Sequence, residues 1–220
     1  MTIVSTSSAV LFDLDGTLTD NGPGIVNCVQ FALAQLGLPP VDDLAVRAFI
    51  GPPLRDGFAA LGHDDETCHR AVAAYRERFT DIGLFENTVY PGIAELLGEL
   101  ADRGVVLGVA TSKPGVFATR ILEHFGLDKH FEVVVGSELN GSRSLKAEVI
   151  AAALDQLAVD HARVVMVGDR SHDVAGARAC GLDCIGVTWG YAEPGELEAA
   201  GATAVVATST QLLDVLVAAL

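Results

Sequence analysis

The sequence predicts an α/β protein: a parallel sheet between two layers of helices, with a small all-helical domain inserted after the first strand. Three observations predict it. Short Val-rich runs alternate with stretches of helical period along most of the 220 residues, and such alternation implies parallel strands joined by right-handed helical crossovers. Half of the residues are hydrophobic and only 6% are aromatic, so the core is built from Val, Leu, Ile and Ala, which suits strands buried on both faces. From residue 21 to about residue 88 the alternation stops, and helical patterns continue without a convincing strand.

Each element has its own warrant. The first strand, Ala9–Leu14, opens on Val10, Leu11 and Phe12. In the inserted lobe, Ile25, Cys28, Val29, Ala32 and Leu36 recur at helical spacing and stop at Gly37. Cys68, Val72, Tyr75 and Phe79 mark a second helix, started near Asp64 and Asp65, acidic residues being favoured at helix starts. Thr19–Pro23 and Thr88–Gly92 would tether this lobe, giving a Rossmann-like three-layer core over 1–20 and 89–220 and a helical cap over 21–88. Further along, Ile93, Leu96, Leu97 and Leu100 predict a helix, as do Phe117, Ile121, Leu122 and Phe125, and Val149, Ile150, Ala153, Leu154 and Leu157. The remaining strands are Val105–Ala110, Phe131–Val135, Val164–Gly168, Cys184–Thr188 and Ala204–Ala207. Gly104, Gly126 and Gly181 follow three of the helices, where a left-handed stop residue is favoured.

Composition excludes several functions. A net charge of −15 argues against a nucleic-acid or anionic-membrane surface, since both need basic footprints. No apolar run is long enough to cross a bilayer, and no basic residue precedes an apolar run at the start, so a cytoplasmic protein is expected. Cys28, Cys68, Cys180 and Cys184 form no CxxC pair or zinc spacing, which points to reduced thiols. The six histidines, His63, His69, His124, His130, His161 and His172, show no ligand spacing either.

The chemistry gathers at the strand ends, where doubly wound sheets bind ligands. The first strand ends in Asp13 and Asp15, the second in Thr111-Ser112-Lys113, and the fourth in Gly168-Asp169 with Asp173 shortly after. Lys146 sits just inside the helix that precedes the fourth strand. Two acids at the end of a core strand are expensive to bury, so a cation and a reaction account for them better than decoration does. Gly16 permits the turn that must follow Leu14.

Asp13-Leu14-Asp15-Gly16-Thr17, Thr111, Lys146 and Gly168-Asp169 followed by Asp173 resemble, in that order, the four motifs of the haloacid-dehalogenase-like (HAD) phosphatase superfamily. The resemblance implies a Mg2+-dependent phosphomonoester hydrolase acting on a small phosphorylated metabolite. Asp13 would be the nucleophile and form an aspartyl-phosphate. Asp15 would protonate the leaving oxygen and later activate water. Asp13 and Asp169 side chains and the Asp15 carbonyl would hold Mg2+, with Asp173 as a supporting ligand. Two unit charges ~4 Å apart repel by roughly 4 kcal/mol at an effective dielectric of 20, so these acids and a phosphate need that cation. Lys146 would neutralise Asp13 and the phosphoryl oxygens, and Thr111 would hydrogen-bond them. Ser112, Lys113 and Gly16 join the expected substrate-binding set.

Within the lobe, Phe49-Ile50-Gly51-Pro52-Pro53-Leu54-Arg55 resembles the specificity loop of cap domains, which makes Arg55 a candidate contact to a second anionic group. Trp189-Gly190-Tyr191 reads as a packed loop, with a wall of the site as the alternative. The pattern resembles the branch holding phosphoglycolate phosphatases and 5′-nucleotidases, and a phosphoglycolate phosphatase-like activity is the expectation. Thr19-Asp20-Asn21 departs from the Val-Asp-Ser common in the former, which keeps the nucleotidase alternative. A phosphosugar mutase would use the same four motifs. A receiver-type signalling module also places acids, a hydroxyl and a lysine at strand ends, but carries neither the Asp-x-Asp pair nor a helical lobe. A dehalogenase would need neither Asp15 nor a metal.

Overall fold

The computed structural model describes residues 8–42, 45, 49–50 and 53–220. In chain order these residues form β1 (Ala9–Phe12), β2 (Thr19–Asp20), α1 (Gly22–Gln35), α2 (Leu54–Ala60), α3 (Asp65–Arg78), β3 (Thr88–Val89), α4 (Ile93–Asp102), β4 (Val106–Pro114), α5 (Gly115–Phe125), β5 (Val133–Ser137), α6 (Lys146–Gln156), β6 (Val164–Gly168), α7 (Ser171–Ala179), β7 (Asp183–Val187), α8 (Glu196–Ala200), β8 (Ala204–Val206) and α9 (Ser209–Ala219). The chain divides into two compact units, one running up to Thr19 and resuming at Val89, the other Asp20–Thr88.

In the first unit six strands form one sheet in the order β5-β4-β1-β6-β7-β8. Every neighbouring pair is parallel, as the strand–helix alternation requires. β1 is central, and its four residues are fully buried. From β1 the chain builds outward through β4 and β5, then returns to the other side of β1 for β6, β7 and β8. The winding therefore reverses at β1, where such sheets bind ligands. Helices cover the sheet through apolar faces of helical period. In α4, Ile93, Leu96, Leu97 and Leu100 are the buried positions; in α6 they include Val149, Ile150, Ala153 and Leu154, which join the core beside Leu11, Val135 and Met166. Gly126 ends α5 at φ 64°, the left-handed stop expected of it.

Two strand boundaries differ from expectation for a reason visible in the backbone. β1 stops at Phe12 because the Leu14 carbonyl accepts from Thr17, Leu18 and Thr19 N–H at 3.3, 2.9 and 3.0 Å, folding the chain into a tight turn. β4 continues to Pro114, so Thr111, Ser112 and Lys113 lie within the strand instead of in a turn beyond it. Its register against β5 shifts between Thr111 and Pro114, a bulge of the sort that re-aims side chains beside functional sites.

The second unit is helical. Pro23 lies in the first turn of α1, whose buried side includes Ile25, Cys28, Val29, Ala32 and Leu33. The Asp64 carboxylate caps α3 by accepting from Thr67 N–H at 2.8 Å. α3 runs into a single π-turn, Phe79–Gly83, and the Arg78 guanidinium grips Glu86 with two hydrogen bonds of 2.6 and 2.8 Å. Of the turn expected between Phe49 and Arg55, Gly51 and Pro52 lie outside the described residues; Arg55 itself belongs to the first turn of α2. Among the described residues no cysteine is in a disulfide. Among the described residues no helix is long and apolar enough to cross a membrane.

Candidate active site

At the carboxyl edge of β1 the chain is still anchored to β6, because Asp13 N–H donates to the Val167 carbonyl at 2.9 Å. The following turn brings Gly16 to φ 84°. A Cβ on Gly16 would run into the Asp169 carboxylate and the Tyr191 ring, so only glycine lets these segments meet. Beyond β6, Asp169 is fully buried. Its Oδ2 accepts from Tyr191 N–H at 2.7 Å, and its Oδ1 accepts from the Thr17 hydroxyl at 3.4 Å. Asp173, in the first turn of α7, accepts from Arg170 N–H at 3.0 Å.

Lys146 opens α6 and reaches into this group. Its ammonium lies 2.7 Å from Asp13 Oδ1 and 2.7 Å from Asp173 Oδ1, and donates to the Ala110 carbonyl of β4 at 2.9 Å. Oxygens of Asp13, Asp169 and Asp173 lie within 4.8 Å of one another. Two of these three acids thus share one ammonium, while Asp169 is held by the Tyr191 N–H and the Thr17 hydroxyl. Burial raises the Asp169 pKa well above the ordinary carboxylate value, and the charges of Asp173 and Asp13 add to that, against the Tyr191 N–H and Lys146. Burial likewise raises Asp173, although Lys146 opposes it. Burial pulls the Lys146 ammonium down, but Asp13 and Asp173 outweigh it and leave its pKa above that of an ordinary lysine. The cluster has an excess of acid and an oxygen-only donor set, which fits a hard divalent cation.

Asp15 stands beside this cluster with its carboxylate 2.9 Å from the Lys113 ammonium, both side chains mostly buried. Lys113, expected near the substrate, is therefore paired with the second acid of the motif. Thr111 is buried, and its hydroxyl accepts from Lys113 N–H at 3.3 Å. Ser112 takes part through its carbonyl, which accepts from the Ser137 hydroxyl at 2.7 Å. The structure brings Asp13, Lys146, Asp169 and Asp173 into one cluster, with Asp15, Gly16, Thr111, Ser112 and Lys113 on the β1 and β4 segments that frame it. Arg55 belongs to the helical unit, where it makes an exposed ion pair with Asp65 at 2.7 Å.

The loop after β7 is the feature that sequence reading undervalued. Trp189 Nε1 donates to the Thr17 carbonyl at 3.1 Å, and Tyr191 N–H holds Asp169. A Cβ on Gly190 would strike the Asp169 carboxylate and the Gly16 carbonyl. A glycine between two aromatics, directly beyond a strand's carboxyl end, was the available signal.

Comparison with known proteins gives a consistent picture. Residues 10–187 match the family described as haloacid dehalogenase-like hydrolase. The chain is 51% identical over 193 residues to a 5′-nucleotidase of Pseudomonas aeruginosa, covering 86% of each. It is 45% identical to the tyrosine-protein kinase PtkA of Mycobacterium tuberculosis, over 91% of this chain and 69% of that one. A phosphoglycolate phosphatase of Rhodospirillum rubrum is 36% identical, over 83% and 80% respectively. Among solved structures, a predicted phosphatase from Clostridium acetobutylicum superposes with a TM-score of 0.91 at 42% identity, covering 97% of this chain and 100% of that one.

Proposed function

The chain belongs to the haloacid dehalogenase-like hydrolase family, and from that premise we propose that this phosphatase hydrolyses small phosphomonoesters through a phosphorylated Asp13, with Mg2+ as its cation. The observation that carries the reading is the buried cluster of Asp13, Asp169, Asp173 and Lys146 at the point where the sheet reverses its winding. Asp13, Asp169 and the Asp15 carbonyl would hold the ion. Asp173 already spends one oxygen on Lys146 and the other on Arg170 N–H, so its part is to support. Bound there, Mg2+ would neutralise the carboxylates and the phosphoryl oxygens.

The chain's own groups supply the rest. The Asp13 carboxylate attacks phosphorus while the bond to the ester oxygen breaks. Asp15 gives that oxygen a proton, then takes one from the water that releases phosphate from Asp13. To do so it turns from Lys113 toward the leaving group. Lys146, held by Asp173 and the Ala110 carbonyl, restrains Asp13 and offsets the charge gathering on the phosphoryl group. Thr111 supplies a hydroxyl beside it. The helical unit would act as the cap that selects the leaving group, with Arg55 as its candidate contact.

For the substrate, the 5′-nucleotidase is the nearer of the two phosphatase relatives, 51% identical against 36% for the phosphoglycolate phosphatase. Nucleoside 5′-monophosphates are therefore the first class to test and phosphoglycolate the second. The test is a phosphate-release screen over nucleoside monophosphates, phosphoglycolate and hexose phosphates, with Mg2+ and with EDTA. An arm with ATP and a tyrosine peptide covers the transfer that the kinase relative's name describes. Mg2+-dependent phosphate release that disappears in D13N supports the reading. Turnover retained in folded D13N, or a hexose phosphate isomerised without phosphate release, contradicts it.

A further inference from the structure

Glu196 opens the short helix α8, 27 positions beyond Asp169 in the sequence, and has no place in the four motifs. Its Oε1 accepts from Ser171 N–H at 2.8 Å and from Arg170 Nε at 3.0 Å. Its Oε2 accepts from Glu193 N–H at 3.0 Å. The side chain is only 14% exposed and that of Arg170 only 22%. One carboxylate therefore ties together the segment after β6, which begins with Asp169, and the segment after β7. The second segment returns the link, since Tyr191 N–H donates to Asp169 Oδ2 at 2.7 Å. The circuit closes: Asp169, Arg170 and Ser171 to Glu196, to Glu193, to Tyr191, and back to Asp169. A surface helix start needs none of this convergence.

We infer that Glu196 is a positioning residue for the cation site, holding the Asp169 carboxylate in its binding orientation through the loop that carries Tyr191. The inference rests on the reading of Asp169 as a metal ligand. Groups that orient a ligand without touching the ion commonly change affinity by about 10- to 100-fold. Glu196 acts one link further away, so a rise in dissociation constant of roughly three- to thirtyfold is expected on that scale.

The test is a Mn2+ titration of metal-free protein followed by electron paramagnetic resonance, in wild type, E196Q, R170M and L97A. Circular dichroism checks the fold of each. R170M removes one donor from the circuit and leaves its backbone hydrogen bonds in place. L97A damages the core beneath α4, where Leu97 is fully buried, and serves as the purely structural control. The expected result is weakened Mn2+ binding in E196Q, a smaller loss in R170M and wild-type affinity in L97A despite its lowered unfolding midpoint. Wild-type affinity in folded E196Q overturns the inference. If E196Q does not fold, wild-type affinity in R170M overturns it. Equal weakening in L97A does so as well, since the effect would then follow stability alone. A wild-type protein that takes up no Mn2+ overturns the metal reading itself, an outcome distinct from the other three.

Discussion

Burial alone would raise the Glu196 carboxyl, but hydrogen bonds from Ser171 and Glu193 N–H and from Arg170 outweigh it and bring the pKa down to about 2 from an ordinary 4.5. A depressed carboxyl stabilises the fold fully above its unfolded pKa and loses that contribution as pH falls through the folded one. The window is thus pH 4.5 down to about 2, and a shift of this size is worth on the order of 3 kcal/mol. Urea unfolding should show wild type more stable than E196Q at pH 7, with the gap narrowing by pH 3; an undiminished gap would contradict the hydrogen-bond assignment. Asp169 has the opposite sign. Its folded pKa is raised, so metal-free protein gains stability from its proton at low pH and loses it as pH rises from about 4 through the raised value. Mg2+ needs the ionised carboxylate. It should therefore raise the unfolding midpoint more at pH 7 than at pH 4, and an equal rise at both would count against Asp169 as a ligand. K146M should cut phosphate release at least ~100-fold, by the scale of lost transition-state charge stabilisation; a loss under tenfold in steady-state assays would show that Lys146 only fills space. Asp13, Asp15 and Asp169 were legible because acids at the ends of apolar strands are conspicuous. Glu196 was not, since its partners Arg170 and Ser171 are 26 and 25 residues away and no spacing rule connects them.

At the scale of elements, Val-rich runs revealed every strand of the main sheet, and hydrogen bonding decided where β1 and β4 stopped. Val10, Leu11 and Phe12 announce β1, yet its end depends on three N–H groups converging on one carbonyl, that of Leu14. Nothing local in Thr111-Ser112-Lys113 says that a strand continues through it; the bulge against β5 appears only when the partner is present. The two-residue strands β2 and β3, paired with each other, are too short for any period. The loop after β7 matters for how closely it approaches the β1 turn. Because a Cβ on Gly190 would meet the Asp169 carboxylate and the Gly16 carbonyl, G190A should displace Asp169. The expected outcome is a folded protein by circular dichroism whose Mg2+ requirement rises and whose phosphate release falls at least ~10-fold, the lower end for a disturbed ligand orientation. Wild-type kinetics in G190A would mean that the loop gives way and does not orient the ligand.

Taken whole, the molecule meets phosphate with a net charge of −15. An anionic substrate approaches such a surface against the field, and the local cations near Asp13 must offset that: Lys146 in the cluster, Lys113 beside Asp15, and the proposed metal. Removing the metal should therefore impair substrate binding as well as turnover, visible as loss of affinity for inorganic phosphate in EDTA-treated protein. Undiminished phosphate affinity would separate the metal from phosphate binding. The order of the four motifs, each near a strand end or helix start, made the family readable from the chain. The leaving group was not readable, because it depends on side chains that meet only after folding. The central claim is that phosphate passes through Asp13. Its most direct measurement is an acid-quenched single turnover with radiolabelled substrate and Mg2+, followed by peptide mapping. The account predicts a transient acyl-phosphate on the peptide holding Asp13, absent from D13N. Rapid product formation with no label on the protein at any time would contradict it.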